Sequence, residues 1–181
     1  HVHSEFGDDL LILDGGPCEV GIESTIIDCT RGAPVLLRPG SITAQQVEDA
    51  CGRKLLSKEE LEAQMQQAPR ASGTLESHYA PSATVRLMDA KALQAALDLL
   101  SGTTPPDKRP TIALYHRSPL HVRSPLVTAH RMPSHAQPAA HELFSKLREM
   151  DAQGVKLIWV EAPPDTSEWD GVRDRLTRAA A

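Results

Sequence analysis

The feature that most constrains the fold is a regular alternation of apolar runs and amphipathic stretches from residue 83 onward. Four short runs of β-branched and other apolar residues, bounded by turn formers, are typical of strands and cover residues 83–88, 111–115, 126–132 and 155–160. After them come stretches with helical apolar spacing that begin at Asp89, Ser134 and Ser167, residue types that favour helix N-termini. Strands alternating with helices favour a parallel sheet. The sequence therefore predicts an α/β domain with a small, mainly parallel sheet flanked by helices.

The predicted sheet lacks a dinucleotide fingerprint, because no G-x-G-x-x-G motif follows any of its strands. Basic and histidine residues are concentrated around its second and third strands. They are Tyr115-His116-Arg117, His121, Arg123 and His130-Arg131. Such a stretch could contact RNA phosphates, but it lacks interleaved aromatic residues, and charged loops are usually solvated surface. RNA binding is therefore an alternative interpretation of this stretch.

Residues 14–40, DGGPCEVGIESTIIDCTRGAPVLLRPG, have the pattern of a β-hairpin. Two alternating apolar runs, 25–29 and 35–37, flank a turn-rich connection that has the length of a hairpin loop. Ser24 precedes the first run and Arg38 ends the second, so we expect both at the same end of the hairpin. A hydroxyl and a guanidinium at one open edge suit a hydroxylated, zwitterionic or phosphorylated ligand. The alternative for Arg38 is a salt bridge with one of three carboxylates: Glu19, Glu23 or Asp28.

The glycines before the hairpin resemble a phosphate-binding loop in spacing only. Gly16 and Gly21 are separated as in G-x-x-x-x-G, but Ile22-Glu23 occupies the place of the Lys and Ser or Thr that this loop requires. Ile22 stands where the phosphate-binding lysine should be and the Glu23 carboxylate follows it, which excludes a P-loop. The apolar run 10–13 predicts a short buried strand that leads into this glycine-rich connection.

Two capping boxes predict helices after the hairpin. Thr43-Ala-Gln-Gln begins a helix that ends at Gly52, and Ser57-Lys-Glu-Glu begins another that runs to about residue 67. The second helix has only Leu61 and Met65 at helical spacing, which predicts a linker helix on the surface. The segment that follows, PRASGTLESHYAP (69–81), contains two prolines and a glycine and marks the domain boundary.

Charge is distributed unevenly along the chain. The 181 residues have 24 Asp and Glu against 19 Lys and Arg, but residues 1–81 hold 13 acidic and 6 basic residues, and residues 82–181 hold 11 and 13. An acidic half is a poor host for a triphosphate, so the cations of any nucleotide site there must come from elsewhere. No apolar run approaches the roughly 18 residues of a membrane helix. Three cysteines without metal or disulfide spacing predict a cytoplasmic protein.

Three motifs together resemble the two-domain form of the YrdC-like threonylcarbamoyl-AMP synthase family. They are GIESTIID (21–28), LLRPGSIT (36–43) and SGTLESHYAP (72–81). The resemblance implies that residues 1–52 are the last part of a YrdC-like α/β catalytic domain, 53–81 a linker with a lid-like SHYAP segment, and 82–181 a Rossmann-like domain. The family's Lys/Arg-rich and Ser-Ala-Asn segments do not occur here. We therefore expect the chain to be the C-terminal part of a longer protein, and to be inactive alone.

The resemblance also implies an activity and its site. The family is a group of nucleotidyltransferases that join L-threonine, bicarbonate and ATP into threonylcarbamoyl-AMP with release of pyrophosphate, for a downstream complex that modifies tRNA. By resemblance, Ser24 binds L-threonine, and Arg38, His78 and Tyr79 bind ATP. No catalytic nucleophile is predicted, magnesium is expected only with ATP, and any tRNA contact is expected to be indirect or weak. Tyr79 could instead pack the linker onto the second domain.

Two alternatives to the enzyme remain at this point. The first is a non-catalytic RNA- or ribosome-binding module, although this would predict a basic first half. The second is a regulatory or tethering role for the C-terminal domain, without chemistry of its own.

Overall fold

The computed structural model describes residues 2–62, 81–102 and 110–181. The helices are α1 (Val2–Phe6), α2 (Ala44–Cys51), α3 (Lys58–Glu62), α4 (Ala90–Leu99), α5 (Ala136–Asp151) and α6 (Asp170–Ala179). Short 3₁₀ turns cover Gly7–Asp9 and Ser167–Trp169. The strands are β1 (Ile26–Asp28), β2 (Val35–Arg38), β3 (Thr84–Met88), β4 (Ile112–His116), β5 (Val127–Arg131) and β6 (Leu157–Glu161).

Strands β1 and β2 form the predicted antiparallel hairpin. Ile26 lies opposite Arg38, and the register shifts once after Ile26. The connection is stabilised by the Asp28 carboxylate, which accepts hydrogen bonds from the amide and hydroxyl of Thr30 at 2.8 and 2.6 Å. These hydrogen bonds, the hydroxyl contributing most, hold the pKa of Asp28 below its ordinary value.

Residues after α2 pack onto this hairpin. Leu56 forms a parallel bridge with Val35, and Leu61 of α3 is 2% exposed in a small apolar cluster with Val35 and Leu37. The predicted surface helix is found with Glu59 and Glu60 exposed, whereas Leu61 anchors it in this small cluster. The domain boundary at 53–81 stays a prediction, since most of that segment lies outside the described residues.

The C-terminal part forms a four-stranded sheet with the strand order β3-β6-β4-β5, and every neighbouring pair is parallel. All five residues of β4 are buried, as expected for a strand covered on both faces. The face under α4 holds Leu93 and Leu97 against Ile112 and Leu114. The opposite face is covered by α5 and α6, whose inward residues Leu143, Leu147, Met150, Val172 and Leu176 are at most 2% exposed. The predicted parallel α/β domain is confirmed.

Most helix starts follow the predicted capping residues. Thr43 and Gln46 form the complete capping box, and Asp89 accepts a hydrogen bond from the amide of Ala92 at 2.7 Å. The prediction at Ser134 is wrong by one residue: His135 occupies the N-cap position of α5 without a side-chain hydrogen bond. The prediction at Ser167 is also wrong: Ser167 lies in a 3₁₀ turn, and α6 begins at Asp170 with Trp169 at its N-cap. The apolar face of the helix, rather than its cap, determines where α5 begins.

The predicted buried strand at residues 10–13 is wrong. The side chains of Leu11 and Leu13 are 86% and 88% exposed, and no strand is formed there. A strand needs a backbone partner, and none of the described residues pairs with this run.

Candidate functional site

The hairpin brings Ser24 and Arg38 into direct contact. The Arg38 Nε donates to the Ser24 carbonyl oxygen at 3.1 Å, and Nη2 lies 3.4 Å from the Ser24 hydroxyl. Ser24 itself is exposed. The two residues that were predicted to share one end of the hairpin therefore form a single polar unit, with the serine at the surface and the arginine behind it.

Arg38 is more buried than its position at a strand end suggested. Arg38 is only 6% exposed, so the end of the hairpin at Arg38 is not the open edge that the sequence predicted. Because β1 and β2 are antiparallel, the end of β2 lies beside the residues that precede β1. The Arg38 guanidinium there donates to the Ser24 carbonyl oxygen and stabilises that backbone. Its role toward a nucleotide stays a prediction.

The turn after Arg38 is pressed against the chain that carries Ser24. A Cβ atom at Gly40 would lie 2.4 Å from the backbone nitrogen of Thr25, so only glycine fits there without a shift of the backbone. The Thr25 hydroxyl donates to the carbonyl of Ile42 at 2.8 Å. The two motifs GIEST and RPGSI thus form one closely packed unit, although about a dozen residues separate them.

Helix α6 contacts this unit through Arg175, which is 3% exposed. Its guanidinium pairs with the carboxylates of Glu23 and Asp174, and its Nη2 lies 3.4 Å from the Pro39 carbonyl. The sequence predicted only that the last helix flanks the sheet, and this contact was missed. The available signal was an arginine next to the apolar face of the helix, one position before Leu176.

Helix α5 contacts the same unit from another direction. The ring of His141 is within hydrogen-bonding distance of the Glu19 carbonyl, at 2.9 Å from Nδ1. Gly21 has a φ of +81°, and a Cβ atom there would lie 2.3 Å from the Cα of His141. Beside this contact lies a mainly apolar cavity of about 400 Å³, lined on one side by Val20, Ile22 and Ser41 and on the other by α5 and Glu168.

A second polar cluster lies at the carboxyl edge of the parallel sheet. Glu161, at the end of β6, is 4% exposed and accepts hydrogen bonds from the amides of Arg117 and Ser118, the Ser118 hydroxyl and the Arg117 guanidinium, all at 2.7–3.0 Å. Burial alone would raise the pKa of Glu161, but these hydrogen bonds and the Arg117 charge outweigh it and hold the pKa below its ordinary value. Arg117 also lies 5.3 Å above the ring of Trp169.

This cluster weakens the RNA interpretation of the basic stretch. Tyr115 is fully buried and donates its hydroxyl to Glu142 at 2.7 Å, and burial followed by this hydrogen bond raises the pKa of Tyr115 above its ordinary value. His116 is 6% exposed, and Arg117 is committed to Glu161. Three members of the stretch therefore stabilise the domain instead of forming a phosphate-binding surface.

The remaining site predictions fall partly outside the structure. His78 and Tyr79 lie outside the described residues. Within residues 2–62, 81–102 and 110–181, no group of three or more His, Cys, Asp or Glu side chains could hold a metal ion. No helix in those same ranges is long and apolar enough to cross a membrane.

Fold and site together define an α/β protein in which a Ser-Arg hairpin is packed against the helices of a four-stranded parallel sheet. The family described as "Threonylcarbamoyl-AMP synthase, C-terminal domain" matches residues 42–181, most of the chain. The chain belongs to this family.

Three curated proteins named threonylcarbamoyl-AMP synthase are similar to it. The one from Schizosaccharomyces pombe is 29% identical over 197 aligned positions, covering 100% of this chain and 48% of that protein. The Bacillus subtilis protein is 28% identical, with 93% of this chain and 48% of its own length covered. The Pyrococcus abyssi protein is 29% identical, with 99% of this chain and 52% of that protein covered. The chain thus spans about half the length of the curated relatives it matches.

Two solved structures share its fold. The crystal structure of P. abyssi Sua5 complexed with L-threonine superposes with a TM-score of 0.74 at 27% identity, covering 99% of this chain and 52% of that one. A variant of P. abyssi Sua5, in which a neighbouring histidine and tyrosine are both alanine, gives a TM-score of 0.69 at 26% identity, with 92% and 47% covered. The resemblance found in the sequence is confirmed.

Proposed function

We propose that this chain is the C-terminal part of an L-threonylcarbamoyladenylate synthase. The observation that carries the proposal is the fold shared with a threonine-bound structure over nearly the whole chain, together with the contact between Ser24 and Arg38. The reaction consumes L-threonine, bicarbonate and ATP, and it yields threonylcarbamoyl-AMP, pyrophosphate and water. This makes the protein a nucleotidyltransferase, acting upstream of a complex that modifies tRNA, with a cytoplasmic location expected.

The chemistry asks the protein for positioning and charge stabilisation. The threonine amino group combines with bicarbonate to give a carbamate and water, a carbamate oxygen attacks the α-phosphorus of ATP, and pyrophosphate leaves. No covalent nucleophile is required, whereas aligned substrates and cations near the leaving group lower the barrier. Magnesium enters the proposal as the ion bound to ATP.

Each candidate residue has a defined task in this proposal. The exposed Ser24 hydroxyl hydrogen-bonds L-threonine, and Arg38 orients that serine while its positive charge faces the ATP phosphates. His78 and Tyr79 close over the nucleotide. They are the one place in this sequence where tyrosine directly follows histidine, and an adjacent histidine and tyrosine are replaced in the second related structure.

ATP–pyrophosphate exchange by the full-length gene product tests the proposal. We expect exchange to require both L-threonine and bicarbonate. Ser24→Ala should raise the KM for threonine about tenfold, the effect of losing one hydrogen bond of about 1.4 kcal/mol. The matched control is Ser145→Ala, an exposed serine of α5 whose hydroxyl bonds only within its own helix in the structure. Exchange that is independent of threonine, or equal effects of the two variants, would contradict the proposal.

The RNA-binding alternative has less support. It requires accessible cations, but Arg117 is paired with Glu161, and the half of the chain that contains the hairpin is acidic.

A further inference from the structure

One side chain of the C-terminal helix touches both neighbours of the candidate substrate residues. The Arg175 guanidinium pairs with the carboxylate of Glu23, which precedes Ser24, and lies 3.4 Å from the carbonyl of Pro39, which follows Arg38. Arg175 is 152 residues from Glu23 in the sequence. A single planar cation therefore connects the two motifs from the side of the C-terminal domain.

Because Arg175 is buried, its charge must be paired and its partners must be held in fixed positions. Arginine is almost never this buried unless it is paired, and its planar fork of donors fixes the positions of the groups that it binds. Asp174 provides a second carboxylate, and Arg178 in turn pairs with Asp174. The guanidinium is thus held from its own helix, so that Glu23 and Pro39 are positioned relative to α6.

The backbone contacts around Arg175 leave little freedom for another arrangement. A Cβ atom at Gly171, one turn earlier in α6, would lie 2.8 Å from the Gly40 carbonyl oxygen and 2.7 Å from the Ile22 side chain. Helix α6 therefore lies directly on the turn that follows Arg38. The ring of His141 meets the Glu19 carbonyl from α5, so the segment leading to Ser24 is held on two sides.

We propose that Arg175 is a positioning residue through which the C-terminal domain sets the geometry of Ser24 and Arg38. It acts on the two residues through Glu23 and Pro39 and needs no contact with substrate. One consequence of this inference rests on the proposed function: the affinity for threonine depends on a residue of the C-terminal domain. Loss of the contact should affect the KM for threonine more than kcat, because it loosens a binding residue.

The first test needs no enzymatic activity. Hydrogen–deuterium exchange of the 181-residue chain should show that Arg175→Met speeds exchange at residues 19–26 about tenfold or more, the effect of losing one charge-assisted contact. The matched control is Arg173→Met in the same helix, whose polar contacts are with Pro164, Asp165 and Asp170 and not with the hairpin. Unchanged exchange at 19–26 in Arg175→Met would overturn the inference.

The second test uses threonine-dependent ATP–pyrophosphate exchange by the full-length gene product. We expect Arg175→Met to raise the KM for threonine about tenfold or more, Arg175→Lys to raise it less, and Arg173→Met to leave it unchanged. Glu23→Gln removes the partner charge without truncating a buried arginine, so it serves if Arg175→Met does not fold. We expect it to raise KM as well, and to add little when combined with Arg175→Lys.

The outcomes separate the inference from the proposed function. An active wild-type protein with an unchanged KM in Arg175→Lys and Glu23→Gln would overturn the inference and leave the proposed function intact. An inactive wild-type protein would overturn the proposed function and the claim about threonine affinity together, while the deuterium exchange would still decide whether Arg175 positions the segment.

Discussion

Replacing Glu161 by glutamine tests whether the cluster at the carboxyl edge of the sheet stabilises the domain. The carboxylate accepts four hydrogen bonds within 3.0 Å, two from backbone amides and two from side chains of Arg117 and Ser118. In Glu161→Gln one oxygen becomes an amide donor. The Ser118 hydroxyl can rotate to accept from it, but the Arg117 guanidinium then faces a donor and loses its charge partner.

The expected loss of stability follows from the hydrogen bond between Arg117 and Glu161 that the substitution removes. A hydrogen bond to a charged group contributes about 1.5–3 kcal/mol, so we expect Glu161→Gln to lower the free energy of unfolding by about 2 kcal/mol at pH 7. Glu161→Ala removes all four acceptor contacts and leaves Arg117 largely buried, which should cost about 3–5 kcal/mol. At a typical urea m-value of about 2 kcal/mol/M, the glutamine variant should unfold about 1 M earlier.

The pH dependence has a definite sign. The pKa of Glu161 is lowered in the folded protein, so the carboxylate stabilises the fold above its ordinary pKa of 4.5, and this stabilisation is lost as pH falls through the lower folded value. The difference between wild type and Glu161→Gln should therefore be largest at pH 7 and shrink below about pH 4.

The assay is urea unfolding of the 181-residue chain, followed by tryptophan fluorescence at several pH values. Both tryptophans, Trp159 and Trp169, lie in the α/β domain, and Trp169 is next to Arg117. Glu149→Gln is the control, because Glu149 is an exposed carboxylate that pairs with Lys146, and its midpoint should stay unchanged. The reasoning is refuted if Glu161→Gln unfolds at the wild-type midpoint, or if its deficit is the same at pH 7 and below pH 4.

Three further substitutions test the packing of the hairpin in the same urea assay, read by circular dichroism. Arg38→Ala should cost about 1.5–3 kcal/mol, because the buried guanidinium that binds the Ser24 carbonyl is lost; a wild-type midpoint would mean that Arg38 is not buried as described. Gly171→Ala should cost about 1–3 kcal/mol, since its methyl group would meet the carbonyl of Gly40, and a neutral result would contradict the close approach of α6. Leu61→Ala should cost about 2–5 kcal/mol, and a loss within measurement error would mean that Leu61 does not anchor α3 to the hairpin.

The α/β domain was predictable because its signals are local. Its strands are short apolar runs with sharp boundaries, and its helices present an unbroken apolar face, as in Leu143, Leu147 and Met150. The prediction of the α5 cap at Ser134 was wrong by one residue, because a cap contributes little compared with burial of that face. The parallel direction of β3, β4 and β6 followed from the helices that connect the strands, whereas β4 and β5 are parallel although no helix lies between them.

The hairpin was predictable in outline but not in its environment. The turn between β1 and β2 and the proximity of Ser24 to Arg38 follow from local spacing. The burial of Arg38 does not, because a strand-end position carries no information about what lies over it. Leu61 likewise needed a partner, Val35, that only the tertiary structure reveals.

The contacts between the two halves of the chain could hardly be predicted from the sequence. Glu23 and Arg175 are too far apart for any periodicity or motif to relate them. Glu161 and Arg117 meet because parallel strands end at the same edge of the sheet, which could be anticipated only once the strand order was known. The requirement for glycine at position 171 becomes apparent only when the position of the Gly40 backbone opposite it is known.

The most direct test of the synthase assignment is detection of the product itself. The full-length gene product and the 181-residue chain are each incubated with ATP, magnesium, L-threonine and isotopically labelled bicarbonate, and threonylcarbamoyl-AMP is measured by mass spectrometry. We expect the full-length protein to form labelled product only when all three substrates are present. We expect the chain alone to form none, because its first 81 residues hold 13 acidic against 6 basic residues and offer too few cations for a triphosphate. No labelled product from the full-length protein, or a comparable rate from the chain alone, would contradict this account.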